Sequence, residues 1–132
     1  MASEPILLLL LEPDKATRQL YARELNRRWR VIAVERPIEA LRALATHPIR
    51  AAILEPGAEG EQVWQMLATL QEQKRKGAPP IIICSAVDER SRAYELGVSA
   101  YLIKPVSPHQ LSSEVARWLM FADSGIASSP SK

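Results

Sequence analysis

Hydrophobic positions gather into five short runs, Ile6 to Leu11, Arg30 to Val34, Ala51 to Leu54, Pro80 to Cys84 and Ala100 to Ile103. Between them, apolar residues return every three to four positions. The runs are rich in Leu, Ile and Val and too short for buried helices, which predicts strands. They are apolar throughout rather than alternating, so both faces of each strand are expected to be covered, as in a parallel sheet. The intervening stretches predict helices. Asp14 to Arg28 opens on a capping aspartate, with Leu20, Tyr21, Glu24 and Leu25 dividing into an apolar and a polar side. Pro37 to Thr46 starts with proline in its first turn and puts Ile38, Leu41, Leu44 and Ala45 on one stripe. Glu61 to Lys76 carries Val63, Met66, Leu67 and Leu70 at helical spacing, with Lys74, Arg75 and Lys76 before a stop at Gly77. Asp88 to Leu96 is read as a short helix capped by Asp88 and stopped by Gly97, and Pro108 to Phe121 aligns Leu111, Val115, Trp118, Leu119 and Ala122. Strand followed by helix, five times over, is the pattern of a doubly wound α/β domain.

The last ten residues have lost both periodicities, which predicts one domain over 1–122 and a flexible tail or linker start over 123–132. A length of 132 residues, 47% hydrophobic, suits a single core and excludes disorder for most of the chain. The formal charge of +2 is small and dispersed, so it names no partner and gives no reason to expect nucleic acid. One cysteine, Cys84, and two distant histidines, His47 and His109, cannot build a zinc site. The longest apolar run falls far short of the roughly 20 residues of a membrane span. The expected compartment is the cytoplasm.

In an open parallel sheet, chemistry gathers beyond the carboxyl ends of the strands. Glu12, Pro13 and Asp14 follow the first run, Glu55, Pro56 and Gly57 the third, Ser85 and Ala86 the fourth, Lys104 and Pro105 the fifth. Two carboxylates, a hydroxyl and an ammonium are thereby expected at one edge.

This arrangement resembles the receiver domain of two-component response regulators, over about residues 5 to 121. The most specific piece is Tyr101-Leu102-Ile103-Lys104-Pro105, similar to that family's fifth strand, where an aromatic stands three residues before a lysine and its proline. Ser85-Ala86, Leu96-Gly97, Glu39-Ala40-Leu41 and the spacing of Arg18 from Asp14 support it. The resemblance implies a flavodoxin-like fold of five parallel strands in the order 2-1-3-4-5, with helices on both faces. It also implies phosphotransfer: an aspartate ending strand three accepts the phosphoryl group, an acidic pair after strand one holds Mg²⁺, and a hydroxyl and the lysine contact the phosphate. Tyr101 and Trp118 would belong to a switch and partner face.

Three departures change that expectation. Glu55 stands where the accepting aspartate belongs, one methylene longer than in-line transfer tolerates. Glu12 matches the first acidic position, but Pro13 fills the second and offers no carboxylate. The loops after Glu55 and Ser85 are shortened. The expected protein is therefore a pseudo-receiver: not an enzyme, no cofactor, Mg²⁺ binding weak or lost, signalling through contacts with a kinase, an effector domain or a second copy, without nucleic acid or membrane. Glu55 would pair with Lys104, as a mimic of the phosphorylated state or as a plain ion pair, and Ser85 could hydrogen-bond to Glu55. Two alternatives remain open at this level: phosphorylation at another carboxylate such as Asp14, and a small-molecule module on the same scaffold. Trp29 among Arg27, Arg28 and Arg30 reads as a surface cluster, and Cys84 as an inert buried thiol.

Overall fold

The computed structural model describes residues 5–73 and 78–123. In chain order the elements are β1 (Leu7–Leu11), α1 (Lys15–Leu25), β2 (Arg30–Val34), α2 (Pro37–Thr46), β3 (Ile49–Leu54), a 3₁₀ turn (Gly57–Glu59), α3 (Gly60–Gln73), β4 (Ile81–Ser85), α4 (Arg90–Glu95), β5 (Ala100–Ile103) and α5 (Pro108–Asp123). The strands form one parallel sheet in the order β2-β1-β3-β4-β5, as expected.

Alternation of side chains across β1 explains its unbroken apolar run. Leu9 and Leu11 pack with Ala40, Ala43, Val63, Trp64, Leu67 and Ala93 beneath α2, α3 and α4. Leu8 and Leu10 point the other way, toward Tyr21, Leu25, Leu111, Val115 and Trp118 of α1 and α5. Each leucine is at most 1% exposed, and burying one contributes roughly 1.5–3 kcal/mol.

Asp14 caps α1, its side chain accepting from the Thr17 backbone N–H at 2.9 Å and the Thr17 hydroxyl at 2.7 Å. The helix ends at Leu25 rather than Arg28, because the N–H groups of Arg28 and Trp29 both turn back to the Leu25 carbonyl. Helix α2 has the predicted ends but not the predicted face. Pro37, Ala40 and Ala43 are buried, whereas Ile38 and Leu41 are 46% and 44% exposed and Ala45 also faces solvent. Small residues face the core here, Leu44 alone of the expected stripe packs partly buried against it, and Ile38 and Leu41 are left outside. Helix α4 starts at Arg90 with Glu89, not Asp88, at the cap position; Asp88 still accepts from the Arg90 backbone N–H at 3.2 Å and holds its guanidinium through two further bonds of 2.9 and 2.8 Å. Gly97 ends the segment with φ +84°, where glycine alone is unstrained. On α5, Leu111, Val115, Trp118 and Leu119 are buried and Ala122 is exposed. Residue 123 still belongs to α5, while the rest of the expected tail, 124–132, and the end of the third predicted helix, 74–77, lie outside the described residues. No helix among the described residues is long and apolar enough to cross a membrane.

Candidate functional site

Backbone pairing continues one residue past each strand that feeds the carboxyl edge. The Glu12 N–H reaches the Val34 carbonyl at 3.1 Å, the Glu55 N–H reaches Leu11 at 2.8 Å, and the Lys104 N–H reaches Ser85 at 2.9 Å. Each functional side chain thus starts from a backbone position fixed by the sheet.

The three side chains converge. Lys104 Nζ lies 2.5 Å from Glu12 Oε1 and 3.0 Å from Glu55 Oε1. Glu12 is 2% exposed, and its second oxygen accepts from the Asp14 N–H at 3.0 Å. The second oxygen of Glu55 accepts from the Gly57 N–H at 3.2 Å. Burial opposes the charge on Lys104, but hydrogen bonds to Glu12 and Glu55, with the charges of both carboxylates, outweigh it and hold the ammonium above the ordinary lysine range. One cation is shared between two anions, leaving the cluster a net negative charge.

Pro13 meets the turn after Glu55. It packs on Gly57, whose φ is +59°, and a Cβ at that glycine would lie 2.8 Å from Pro13 Cγ. The turn after Glu55 is clasped from both sides, by Arg36 forked onto Glu59 at 3.3 and 3.1 Å and by Arg92 forked onto Glu61 at 2.9 and 3.0 Å. Arg18 donates to the carbonyls of Glu12 and Pro13 at 2.8 and 3.3 Å, securing the first loop.

The remaining predicted residues fall around this centre. Ser85 is buried at the end of β4, with its hydroxyl oxygen accepting from the Val87 N–H at 3.2 Å. Tyr101 is only 8% exposed; its hydroxyl donates to the Val87 carbonyl and accepts from the Glu89 N–H, tying β5 to the loop before α4. The peptide bond between Lys104 and Pro105 is cis. Trp118 is 6% exposed, bonded to Glu114 at 3.0 Å and edge-on to Phe121; it belongs to the core, and the exposed apolar side chain of that helix end is Met120, at 74%. Behind the site, Tyr21 donates to the Val106 carbonyl at 2.8 Å and Cys84 lies 3.9 Å from the Tyr21 hydroxyl. Burial pushes the Cys84 thiol up to about 11. Sequence reasoning missed the Pro13–Gly57 interlock and both arginine clasps; a proline and a glycine each just beyond a charged strand end were the available signal.

A hard divalent ion asks for oxygen ligands in a near-octahedral set. Glu12 and Glu55 already share Lys104, Pro13 brings none, and Asp14 is spent on its helix cap. Among the described residues, no group of three or more His, Cys, Asp or Glu side chains could hold one metal ion. The residues present do not fit Mg²⁺.

No family model matches the sequence. The chain is 31% identical over 96 residues to the sensor histidine kinase GacS of Pseudomonas protegens, an alignment covering 67% of this chain and 10% of that protein. It is 30% identical over 112 residues to the transcriptional regulatory protein GltR of Pseudomonas aeruginosa, covering 82% of this chain and 46% of the other. The chain thus spans under half the length of the curated relatives it matches. A CheY-like response regulator receiver domain protein from Methanospirillum hungatei superposes with a TM-score of 0.79 at 17% identity, over 93% of this chain and 100% of that one. The signal receiver domain of a Bermanella marisrubri response regulator gives 0.78 at 21%, over 88% and 99%. The chain is thus a receiver domain in fold, of the kind carried by two-component response regulators.

Proposed function

We propose that this receiver domain signals without being phosphorylated, through protein contacts in a cytoplasmic two-component or phosphorelay setting, and that it catalyses no reaction. The observation that carries this reading is the sharing of Lys104 between Glu12 and Glu55. Phosphoryl transfer needs a free acceptor carboxylate in line with the donor and cations to spread the charge that develops. Here the side chain at the acceptor position is longer than aspartate and already engaged. The lysine that would meet phosphate is held by two carboxylates, and the second metal position is a proline. The relatives, a sensor kinase and a transcriptional regulator, favour a signalling role with a kinase, an effector domain or a second copy as partner.

Beryllium fluoride with Mg²⁺ mimics a phosphoryl group on a receptive carboxylate. Added to the ¹⁵N-labelled protein, the two together are expected to leave the amide resonances of Glu12, Glu55, Ser85 and Lys104 in place. Saturable shifts at those four positions would overturn the proposal.

A further inference from the structure

Arginines at the two ends of the sheet are paired differently. Around the carboxyl edge three are neutralised by carboxylates: Arg36 meets Glu59 at 3.1 Å, Arg90 meets Asp88 at 2.8 Å and Arg92 meets Glu61 at 2.9 Å. At the opposite end, from the last turn of α1 to the first residue of β2, Arg23, Arg27, Arg28 and Arg30 accompany one carboxylate, Glu24. Arg27 reaches it at 3.5 Å with its side chain 74% exposed. The Arg28 guanidinium sits 4.6 Å from the centre of the Trp29 ring. No carboxylate among the described residues pairs with Arg23, Arg28 or Arg30. The α1 dipole accounts for a cation in its last turn, Arg23, but not for those beyond it. Like charges gathered without counter-charges repel one another, and an anionic partner relieves that repulsion.

Two neighbouring features say what kind of anion fits. Strand β2 is an edge of the sheet, so among the described residues its outer side pairs with no strand, and a strand edge presents backbone donors and acceptors. Beside Arg30 runs a groove of ≈ 420 Å³ lined by Pro5, Leu7, Arg30, Ile32, His47 and Pro48. Its lining is mostly apolar and includes a cation and an imidazole.

We propose that this corner docks an extended acidic segment of a partner protein, which adds to the β2 edge, sets carboxylates against Arg28 and Arg30, and drops an apolar side chain into the groove. Only a polypeptide backbone matches an open strand edge hydrogen bond for hydrogen bond. Single-stranded nucleic acid would want an open aromatic face on which to stack, and the aromatic at this corner, Trp29, is half-buried with Arg28 over its ring. The surface lies at the far end of the sheet from Glu12, Glu55 and Lys104, so it stands whether or not the carboxyl edge accepts phosphate.

The probe is a fluorescein-labelled peptide of alternating glutamate and valine, read by anisotropy on the intact chain. Saturable binding is expected, weakened by salt and lost when alternate peptide nitrogens are methylated. Joint reversal of Arg28→Glu and Arg30→Glu is expected to weaken it by about tenfold or more. Arg42→Glu, the reversal of a single charge on exposed α2, should have little effect. Arg30→Gln alone gives a milder loss should the double reversal disturb the fold. Absence of saturable binding, indifference to the double reversal, or indifference to N-methylation would overturn the proposal. So would equal or tighter binding of a single-stranded oligonucleotide or of phosphatidylserine vesicles.

Discussion

Lys104 holds the carboxyl edge together because Glu12 has no water to turn to. A carboxylate that is 2% exposed is tolerable only while its charge is compensated, and the ammonium 2.5 Å away supplies that compensation. Lys104→Met keeps the length of the side chain and removes the charge. It is expected to cost about 3–5 kcal/mol in urea unfolding, the usual penalty for stranding one member of a buried pair. Glu55→Gln, nearer the rim, should cost well under half as much, and equal losses would contradict the assignment of Glu12 as the buried partner. That these three residues meet was readable from sequence, because the residue after a parallel strand is placed by the ladder itself. Side-chain orientation was not readable in the same way. Trp118 stays on the core stripe that the spacing of Leu111, Val115 and Leu119 marks rather than on the partner face that the resemblance implied, and Met120 is the side chain left at the surface.

Helix α2 shows the same limit for a whole element. Its ends were legible, since Pro37 suits a first turn and Pro48 follows closely after the last. Its rotation was only partly so, because the hydrophobic stripe of Ile38, Leu41, Leu44 and Ala45 competes with a stripe of small residues, and close packing on the sheet selected the latter, keeping only Leu44 of the former against the core. Ala40 is fully buried, so Ala40→Leu is expected to overpack the interface and cost about 1–3 kcal/mol. Leu41→Gln, on the exposed side, should change stability by no more than about 0.5 kcal/mol. The reverse order in a denaturation series would mean that α2 is turned toward the face expected from its hydrophobic pattern. The loops carry a related lesson. The clasps of Arg36 on Glu59 and Arg92 on Glu61 join residues 23 and 31 apart in sequence, beyond the reach of any local pattern.

For the molecule as a whole, sheet order, domain class and the polar edge were legible together because alternating strand and helix leave few ways to wind a chain of this size. The buried thiol then sets how that fold answers to pH. Burial raises the Cys84 thiol from 9.0 to about 11, so the unfolded chain gives up this proton first. Its contribution is constant below pH 9.0 and is lost as pH rises from there to about 11. Lys104 acts in the same direction at higher pH: its raised ammonium is protected in the fold, and the stability this supplies falls away once the unfolded lysine deprotonates. The thermal midpoint is expected to hold through neutral pH and fall from about pH 9, with Cys84→Ala delaying the onset to about pH 10. An unchanged onset in that variant would remove the thiol from the account.

The claim on which the account rests is that a receiver fold has given up phosphate. Incubation of the intact chain with acetyl phosphate and Mg²⁺, followed by intact-mass measurement, tests it most directly. The mass is expected to stay that of the unmodified chain under conditions that label a receiver with a complete acidic pair. A gain of one phosphoryl group, mapped to Glu55, Glu12 or Asp14, would contradict it.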